Sequence, residues 1–251
     1  MPNDDEASMD AALECAAHTH VGRVRNRNED SLWVDRERGW LLLADGMGGH
    51  SAGDVASTLA ISHALDHLRK ASPTEYATVE GRARLLVKSI DNANTAIRQA
   101  ANGDLMGSTF VGALLASGEM VYAHIGDSRL YLLRAGVLTQ LTQDHTLVQE
   151  YVSSGQITPE MAQNHPYRGL LTRGLGIEED VEAVTGTCVL SPGDRVLLCS
   201  DGLTDMVDED EIAALLGALL TPTEIAVSLV DAANTHGGRD NISVIVAWFS
   251  A

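Results

Sequence analysis

Four apolar segments follow one another in the middle of the chain, with no space for a helix between them. They are indicated at residues 108–116, 119–125, 129–134 and 137–141. Ser117 and Gly118 separate the first pair, and Ala135 and Gly136 separate the last pair. Two-residue connections of this kind join antiparallel neighbours, whereas parallel strands need a crossover of about a dozen residues or more. The block therefore predicts antiparallel strands at the centre of the fold.

Helical patterns lie on either side of this block rather than between its strands. Residues 51–68 and 79–101 carry apolar stripes of helical period. After the block, Asp208 begins a helix that reaches about residue 220, and Thr221 begins the next. Further strands are predicted at residues 12–24, 31–34, 40–44, 181–190, 195–199 and 242–249. Antiparallel strands with segregated helices predict an α+β fold in which two sheets pack face to face with helices outside.

Residues 142–176 interrupt the strands with a different composition. Asp144 is predicted to cap a short helix that reaches Ser154, and Pro159 is predicted to begin another. The remainder is polar, contains Pro166 and three glycines, and is predicted to be irregular and mobile. The chain shows no internal repeat or linker, so a single domain is predicted for residues 13–251.

The acidic balance of the chain restricts its partners. It has 17 Lys and Arg residues against 35 Asp and Glu residues, a formal net charge of −18. Such a chain repels nucleic-acid phosphates and anionic membranes, so neither is expected as a partner. Most of the carboxylates must be solvated surface groups, but a few could converge on a divalent cation that neutralises them locally.

The first residues and the cysteines predict a cytoplasmic location. Residues 1–12 are acidic, which is unlike a signal peptide, and are predicted to be a disordered leader. The longest apolar run, residues 212–220, is too short to span a bilayer. Cys15, Cys188 and Cys199 are odd in number and lack CxxC spacing, so neither a disulfide framework nor a zinc site is indicated.

Four aspartates share a position at the end of an apolar strand. Asp45 and Asp201 each end or follow a strand and precede a glycine, Asp127 follows a strand after Gly126, and Asp240 precedes the last strand. Any single Asp-Gly pair is better read as a turn. Four carboxylates held at strand ends favour a site for magnesium or manganese, which prefer oxygen ligands.

A polar run precedes the second predicted strand. Its simplest interpretation is a solvated loop, but Arg25 could bind a phosphate through two parallel hydrogen bonds. Glu29 and Asp30 are adjacent, so on a strand their side chains point to opposite faces. We therefore expect only one of them to face a given metal ion.

Five short motifs carry a resemblance to a known family. They are Arg25 with Asn28-Glu29-Asp30, Asp45-Gly46-Met47-Gly48-Gly49-His50, Gly126-Asp127-Ser128-Arg129, Ser200-Asp201-Gly202-Leu203-Thr204-Asp205 and Arg239-Asp240-Asn241-Ile242-Ser243. In this order they resemble the metal-dependent protein phosphatases, the type 2C serine/threonine phosphatases, and the Met-Gly-Gly-His form resembles the bacterial branch. Each motif alone is a weak signal, but five in the family's order are specific.

This resemblance implies an αββα sandwich, two mainly antiparallel sheets between helices, with two Mn²⁺ or Mg²⁺ ions at one end. Asp45 would bridge the two ions, Asp201 and Asp240 would hold one of them, and the carbonyl of Gly46 would contact the other. Bacterial members often show a third metal ion, which the motif match gives to Asp127 together with Asp201.

The resemblance also implies roles beside the metal ions. Glu29 and Asp30 would orient metal-bound waters, and Arg25 would hold the substrate phosphate. Residues from about 142 to 176 would be the flap beside the active site, where substrates are selected. Animal members have a histidine where this chain has Met47. His50 is the candidate to replace it, as general acid or as phosphate contact, and a purely structural role for His50 is the alternative.

The function implied is hydrolysis of phosphoserine and phosphothreonine in other proteins, by direct attack of a water activated between two metal ions. The family resemblance further suggests opposition to a eukaryotic-like serine/threonine kinase in a bacterium. Residues 13–251 would form the catalytic domain, and a monomer is expected.

Two other functions are open at this point. Residues 49–53 match the G-x-S-x-G pattern of serine hydrolases, with Asp201 or Asp205 and His236 as possible partners, but Asp45-Gly46-Met47-Gly48 separates the pattern from its strand. A phosphatase-like binding module without activity would lack one of the metal-binding aspartates. Sensitivity to EDTA or to a serine-directed fluorophosphonate would separate these alternatives.

Overall fold

The computed structural model describes residues 13–49, 52–163 and 165–249. The predicted leader, residues 1–12, lies outside the described residues.

Eleven strands and eight helices are assigned within these ranges. The strands are β1 Leu13–His20, β2 Asp30–Asp35, β3 Trp40–Gly48, β4 Met106–Ser108, β5 Phe110–Ala116, β6 Glu119–Ile125, β7 Arg129–Arg134, β8 Val137–Gln140, β9 Val184–Val189, β10 Arg195–Cys199 and β11 Ile242–Phe249. The helices are α1 Ala52–Leu68, α2 Pro73–Tyr76, α3 Val79–Ala101, α4 Leu147–Ser153, α5 Pro159–Gln163, α6 Asp201–Thr204, α7 Glu209–Leu216 and α8 Pro222–Thr235.

The strands form two antiparallel sheets. The first sheet has the order β1-β11-β10-β7-β8, and the second has the order β2-β3-β5-β6-β9, with β4 paired to β3. Ser117 and Ala135 both have positive φ angles, 52° and 50°, in the tight turns that join β5 to β6 and β7 to β8. The predicted antiparallel block is therefore confirmed.

Three apolar layers hold the sheets and helices together. Strand β3 shows why its apolar run is unbroken, since Leu41 and Leu43 are buried between the sheets while Leu42 packs with the helix layer. Helices α1 and α3 cover the second sheet, and α7 and α8 cover the first. The αββα sandwich predicted from the sequence is confirmed.

Some predicted boundaries are wrong, because tertiary contacts override local signals. The predicted strand at residues 108–116 is broken into β4 and β5 at Thr109, whose N–H donates to the Asp45 carbonyl (2.8 Å). Strand β3 continues to Gly48, beyond its predicted end at residue 44, because it pairs with β4. Helix α7 ends at Leu216 rather than near residue 220. The guanidinium of Arg195 donates to the carbonyls of Leu216 and Ala218 at this end of the helix.

The predicted cap of α4 is also wrong. Thr146 caps the helix, since its hydroxyl accepts a hydrogen bond from the N–H of Gln149 (3.2 Å). The Asp144 carboxylate is instead bound by the guanidinium of Arg129, with N–O distances of 2.7 to 3.1 Å. A charged, two-pronged contact of this kind outweighs a helix cap.

Candidate metal centre

The ends of both sheets bring five aspartates together at one edge of the sandwich. Asp45 lies near the end of β3 and pairs in register with Asp30 on β2. Asp201 follows β10, Asp240 precedes β11, and Asp127 lies between β6 and β7. Because neighbouring strands are antiparallel, the end of one and the start of the next lie at the same edge. We call these five carboxylates the mouth.

Asp30 lies on the inner wall of the mouth. The hydroxyl of Ser200 donates to its Oδ2 (3.0 Å). Its Oδ1 is buried, and among the described residues it has no hydrogen-bond partner. Burial raises the pKa of Asp30 to about 6, while the neighbouring hydroxyls of Ser243 and Ser200 lower it.

Asp45 and Asp201 lie among the other carboxylates of the mouth. Burial raises the pKa of Asp45 well above its ordinary value, and the charges of Asp30 and Asp201 raise it further. Burial likewise raises the pKa of Asp201, together with the charges of Asp127 and Asp205. Buried carboxylates that repel one another need either protons or a cation beside them.

Asp127 lies beside a structural ion pair. Burial raises its pKa to about 7, the charge of Asp144 adds to this, and the charge of Arg129 opposes it. Arg129 cannot neutralise Asp127 fully, because its guanidinium is already bound to both carboxylate oxygens of Asp144.

Arg25 and Asp240 are paired directly, at 2.6 Å between Nη2 and Oδ2. Both are accessible, with 49% of the Arg25 side chain and 34% of the Asp240 side chain exposed. The Asp240 Oδ1 accepts a hydrogen bond from the N–H of Asn241 (2.8 Å). Arg25, the predicted phosphate-binding residue, thus lies at the mouth, and its guanidinium is paired with Asp240, one of the predicted metal ligands.

Glu29 immediately precedes β2 and lies against the start of α1. Its carbonyl accepts a hydrogen bond from the N–H of Gly46 (3.0 Å), and a Cβ built on Gly53 would lie 2.7 Å from its carboxylate carbon. A Cβ at Gly46 would lie 1.9 Å from the Gly53 carbonyl oxygen. Only glycine allows this close approach of strand and helix.

The remaining predicted residue, His50, lies outside the described residues, as does Ser51 of the serine hydrolase pattern. The third member proposed for that pattern, His236, has its Nδ1 3.7 Å from the Glu211 carboxylate.

The residues of the mouth fit a divalent cation in charge and in chemistry. The side chains that converge are carboxylates, the oxygen ligands that magnesium and manganese prefer. The Oδ1 of Asp30 is buried and has no partner in the part of the chain that the structure describes, and such a cation, or a water beside it, would satisfy this atom. In the described part of the chain no three Asp, Glu, His or Cys side chains stand at ligand spacing, and Asp240 is drawn towards Arg25.

Several contacts behind the mouth were not predicted from the sequence. Asn241 accepts from the N–H of Glu29 (2.8 Å) and donates to the carbonyls of Val21 and Arg27 (3.0 and 2.8 Å). The hydroxyl of Thr109 accepts from the N–H of Asp45 (3.0 Å). Asn241 stands in one of the quoted motifs, so its position was visible, but its three contacts lie in a distant part of the chain.

A cleft of about 1140 Å³ opens beside the mouth. Asp127 and Asp201 line it on one side, and residues 142–176, which we call the flap, line it on the other through Arg168 and Gly169. The Arg168 guanidinium crosses the cleft to the Asp205 carboxylate (2.5 Å). A substrate that approaches the mouth therefore also meets the flap.

Comparison with known proteins connects this geometry to characterised relatives. The family described as Protein phosphatase 2C matches residues 16–231. The serine/threonine phosphatase stp of Listeria monocytogenes is 41% identical over 235 residues, which cover 91% of this chain and 92% of that protein.

Solved structures share the whole fold. The catalytic domain of the phosphatase PstP, in complex with two manganese ions, has a TM-score of 0.84 at 41% identity and covers 95% of this chain and 99% of its own. The phosphatase Stp1 from Staphylococcus aureus has a TM-score of 0.88 at 32% identity, with coverage of 95% and 96%.

Proposed function

The chain belongs to the protein phosphatase 2C family, and from that premise we propose that its mouth hydrolyses phosphoserine and phosphothreonine in other proteins with the help of divalent metal ions. It is a serine/threonine protein phosphatase of the bacterial type. The observation that carries the assignment to these residues is the convergence of Asp30, Asp45, Asp127 and Asp201 at one edge of the sandwich. There they are half-buried or buried, and shielding from water and neighbouring carboxylates raise the pKa of each.

The metal ions, Mn²⁺ or Mg²⁺, would be held by the oxygen donors of the mouth. Asp45, Asp201 and Asp240 would hold two ions together with the Gly46 carbonyl, and Asp127 with Asp201 would hold a third. A divalent ion in such a site lowers the pKa of a bound water and stabilises negative charge on phosphoryl oxygens. To reach its ion, the Asp240 carboxylate would exchange the guanidinium of Arg25 for the cation.

The side chains of the chain itself bind and orient the reactants. Arg25, once released from Asp240, can bind two phosphate oxygens of the substrate with its planar guanidinium. The Oδ1 of Asp30 has no hydrogen-bond partner among the described residues, and it can accept a hydrogen bond from the attacking water and hold it in place. Glu29, on the α1 side of β2, would orient a second water.

The overall reaction adds water to the phosphate ester. A bond forms between the water oxygen and phosphorus, the bond from phosphorus to the side-chain oxygen breaks, and a proton passes to the leaving alkoxide. His50 is our proposed donor of that proton, or a contact to the phosphate.

The biological setting is also a proposal. Phosphoproteins are the substrates, and we propose that they include a serine/threonine kinase, that the protein acts as a monomer and that it works in the cytoplasm. The free thiols of Cys15, Cys188 and Cys199 support a reducing location. Among the described residues, no helix combines the length and apolarity needed to cross a membrane.

We further propose that residues 13–251 form one catalytic domain with the flap as its substrate-selecting part. Support comes from the cleft, which the flap and the mouth line together.

Hydrolysis of a phosphothreonine peptide and of p-nitrophenyl phosphate, with added Mn²⁺ and after EDTA treatment, tests the proposal. We expect both substrates to be hydrolysed only with metal, and a serine-directed fluorophosphonate to leave the rate unchanged. Rapid inactivation by the fluorophosphonate together with indifference to EDTA would favour the serine hydrolase instead.

A further inference from the structure

Ser200 occupies a helix N-cap, a position where a serine side chain normally binds the backbone of its own helix. It is the N-cap of α6, with extended φ and ψ of −76° and 167°. A serine there usually accepts a hydrogen bond from an N–H in the first turn of its helix. Within the described residues, its side chain makes no such cap bond.

The hydroxyl of Ser200 instead makes hydrogen bonds with Ser243 and Asp30. It accepts a hydrogen bond from the backbone N–H of Ser243 on β11 (3.0 Å). A serine hydroxyl carries one hydrogen, which is then free to point to Asp30, whose Oδ2 lies 3.0 Å away. The strand β11 therefore fixes the direction in which Ser200 donates.

This contact joins the two sheets at the mouth. Ser200 follows β10 of the first sheet, whereas Asp30 belongs to β2 of the second. Ser200 is fully buried, so water does not compete for the bond. Ser200 also precedes Asp201 directly in the sequence. It is therefore bonded covalently to Asp201 at the end of the first sheet and hydrogen-bonded to Asp30 of the second sheet.

The bond also decides which oxygen of Asp30 is available. Oδ2 is occupied by Ser200, while Oδ1 is buried and lacks a partner among the described residues. Loss of the Ser200 hydroxyl would remove the hydrogen bond to Oδ2 and loosen the orientation of the carboxylate. It would also leave the Ser243 N–H without its acceptor.

We propose that Ser200 is a positioning residue, which fixes Asp30 against Asp201 across the two sheets and thereby sets metal affinity and turnover. This rests on the proposed metal site. Residues that hold metal ligands and their waters from behind typically change affinity or activity by about 10- to 100-fold when removed.

The test compares Ser200→Ala with Ser89→Ala. Ser89 is also fully buried, and its hydroxyl donates to the Leu85 carbonyl within α3, away from the mouth. Mn²⁺ affinity is measured by titration calorimetry, and kcat and KM are measured on p-nitrophenyl phosphate. We expect Ser200→Ala to weaken Mn²⁺ binding and lower kcat by about tenfold or more, with little change in KM. Ser89→Ala should keep both values near those of the parent protein.

A cycle with Asp30→Ala makes the test specific. If Ser200 acts through Asp30, removing its hydroxyl should have little further effect once the Asp30 carboxylate is gone. Ser200→Thr, which keeps the hydroxyl, should recover most of the lost affinity. If Ser200→Ala does not fold, Ser200→Cys replaces it, because a thiol is a similar but weaker donor.

Two results would overturn the inference. One is a Ser200→Ala protein that binds Mn²⁺ and turns over like Ser89→Ala. The other is a Ser200→Ala substitution that lowers Mn²⁺ affinity by the same factor in the parent protein and in the Asp30→Ala background. If the parent protein itself bound no Mn²⁺, the proposed metal site would fail, which is a distinguishable outcome.

Discussion

The mouth and the flap lie on opposite sides of one cleft, but they are held in different ways. The carboxylates of the mouth are half-buried or buried, and Ser200, Ser243 and Thr109 hold its inner wall by hydrogen bonds at 3.0 Å. The flap presents large side chains to solvent, with Met161 and Tyr167 more than half exposed. Rigid burial suits a fixed set of charges, and an exposed surface suits contact with varied protein substrates.

The flap is not loose throughout, and its root differs from its tip. At the root, the Nδ1 of His145 accepts from the N–H of Gly126 (3.1 Å), and its ring stacks on that of His124 at 4.8 Å. Towards the tip, the Arg168–Asp205 pair links the flap to the far wall, and both side chains are 39% exposed. Such an exposed pair contributes about 0 to 1 kcal/mol, so the tip can move at low cost. The root, by contrast, holds the flap in a fixed position against the loop that contains Gly126 and Asp127.

The largest effect should come from neutralising a carboxylate of the mouth. Asp201→Asn should lower turnover by more than about 100-fold, beyond the range expected for residues behind the ligands. The matched control is Asp205→Asn, a carboxylate of the same cleft that pairs with the flap, for which we expect a smaller loss. Turnover on p-nitrophenyl phosphate with Mn²⁺ measures both. Equal losses would mean that the mouth and the outer cleft do not differ in function.

The next effect should come from Arg25. Arg25→Ala should raise KM for a phosphopeptide by about tenfold, because it removes binding made in both the ground and transition states. Arg25→Lys should restore only part of this, since an ammonium cannot reproduce the planar guanidinium. Arg27→Ala is the control, because the Arg27 side chain is more exposed than that of Arg25 and makes only a long ion pair, with its Nη1 4.0 Å from the Asp54 carboxylate. An unchanged KM with a greatly reduced kcat would place Arg25 in the chemical step.

Changing the flap should affect the two substrate classes unequally. Replacement of residues 165–169 by a Gly/Ser linker removes Arg168 and Tyr167 but leaves the root in place. We expect p-nitrophenyl phosphate hydrolysis to stay within several-fold, whereas kcat/KM for a phosphoprotein should fall by about tenfold, or roughly 1.4 kcal/mol. Losses of the same size on both substrates would show that the flap helps to build the mouth.

The smallest effect should be on stability without metal. The folded protein has raised pKa values of about 6 at Asp30 and about 7 at Asp127, so between about pH 4 and 7 it binds more protons than the unfolded chain. The free energy of unfolding contributed by these groups therefore falls as pH rises through that window. In EDTA, Tm should be a few degrees lower at pH 7.5 than at pH 5.

Two additions sharpen this measurement. Asp127→Asn should flatten the dependence of Tm on pH, and added Mn²⁺ should raise Tm most at the higher pH. A parent protein in EDTA whose Tm rises steadily from pH 5 to 7.5 would contradict the repulsion described for the mouth.

The sequence predicted the sheets better than the contacts that hold the mouth. Strands β6, β7, β10 and β11 have the predicted bounds, because apolar runs and tight turns are local signals. The Ser200–Asp30 bond joins residues 170 positions apart, so no local pattern could indicate it. Asp144 shows the converse, since it carried a clear local signal for a helix cap that the distant Arg129 overrode. The strand-end positions of Asp45, Asp127, Asp201 and Asp240 could be predicted because the ends of apolar strands are visible in the sequence, whereas Asp30 was indicated by a polar run and a family motif.

The most direct test of the metal-dependent mouth is a single titration of metal-depleted protein with Mn²⁺. Bound Mn²⁺ is followed by electron paramagnetic resonance, and release of phosphate from a phosphothreonine peptide is measured on the same samples. We expect turnover to be absent at the start, to rise with bound Mn²⁺ and to disappear again with excess EDTA. Asp201→Asn should bind less Mn²⁺ and remain inactive across the range. Full turnover by parent protein that elemental analysis shows to be free of metal would contradict the account.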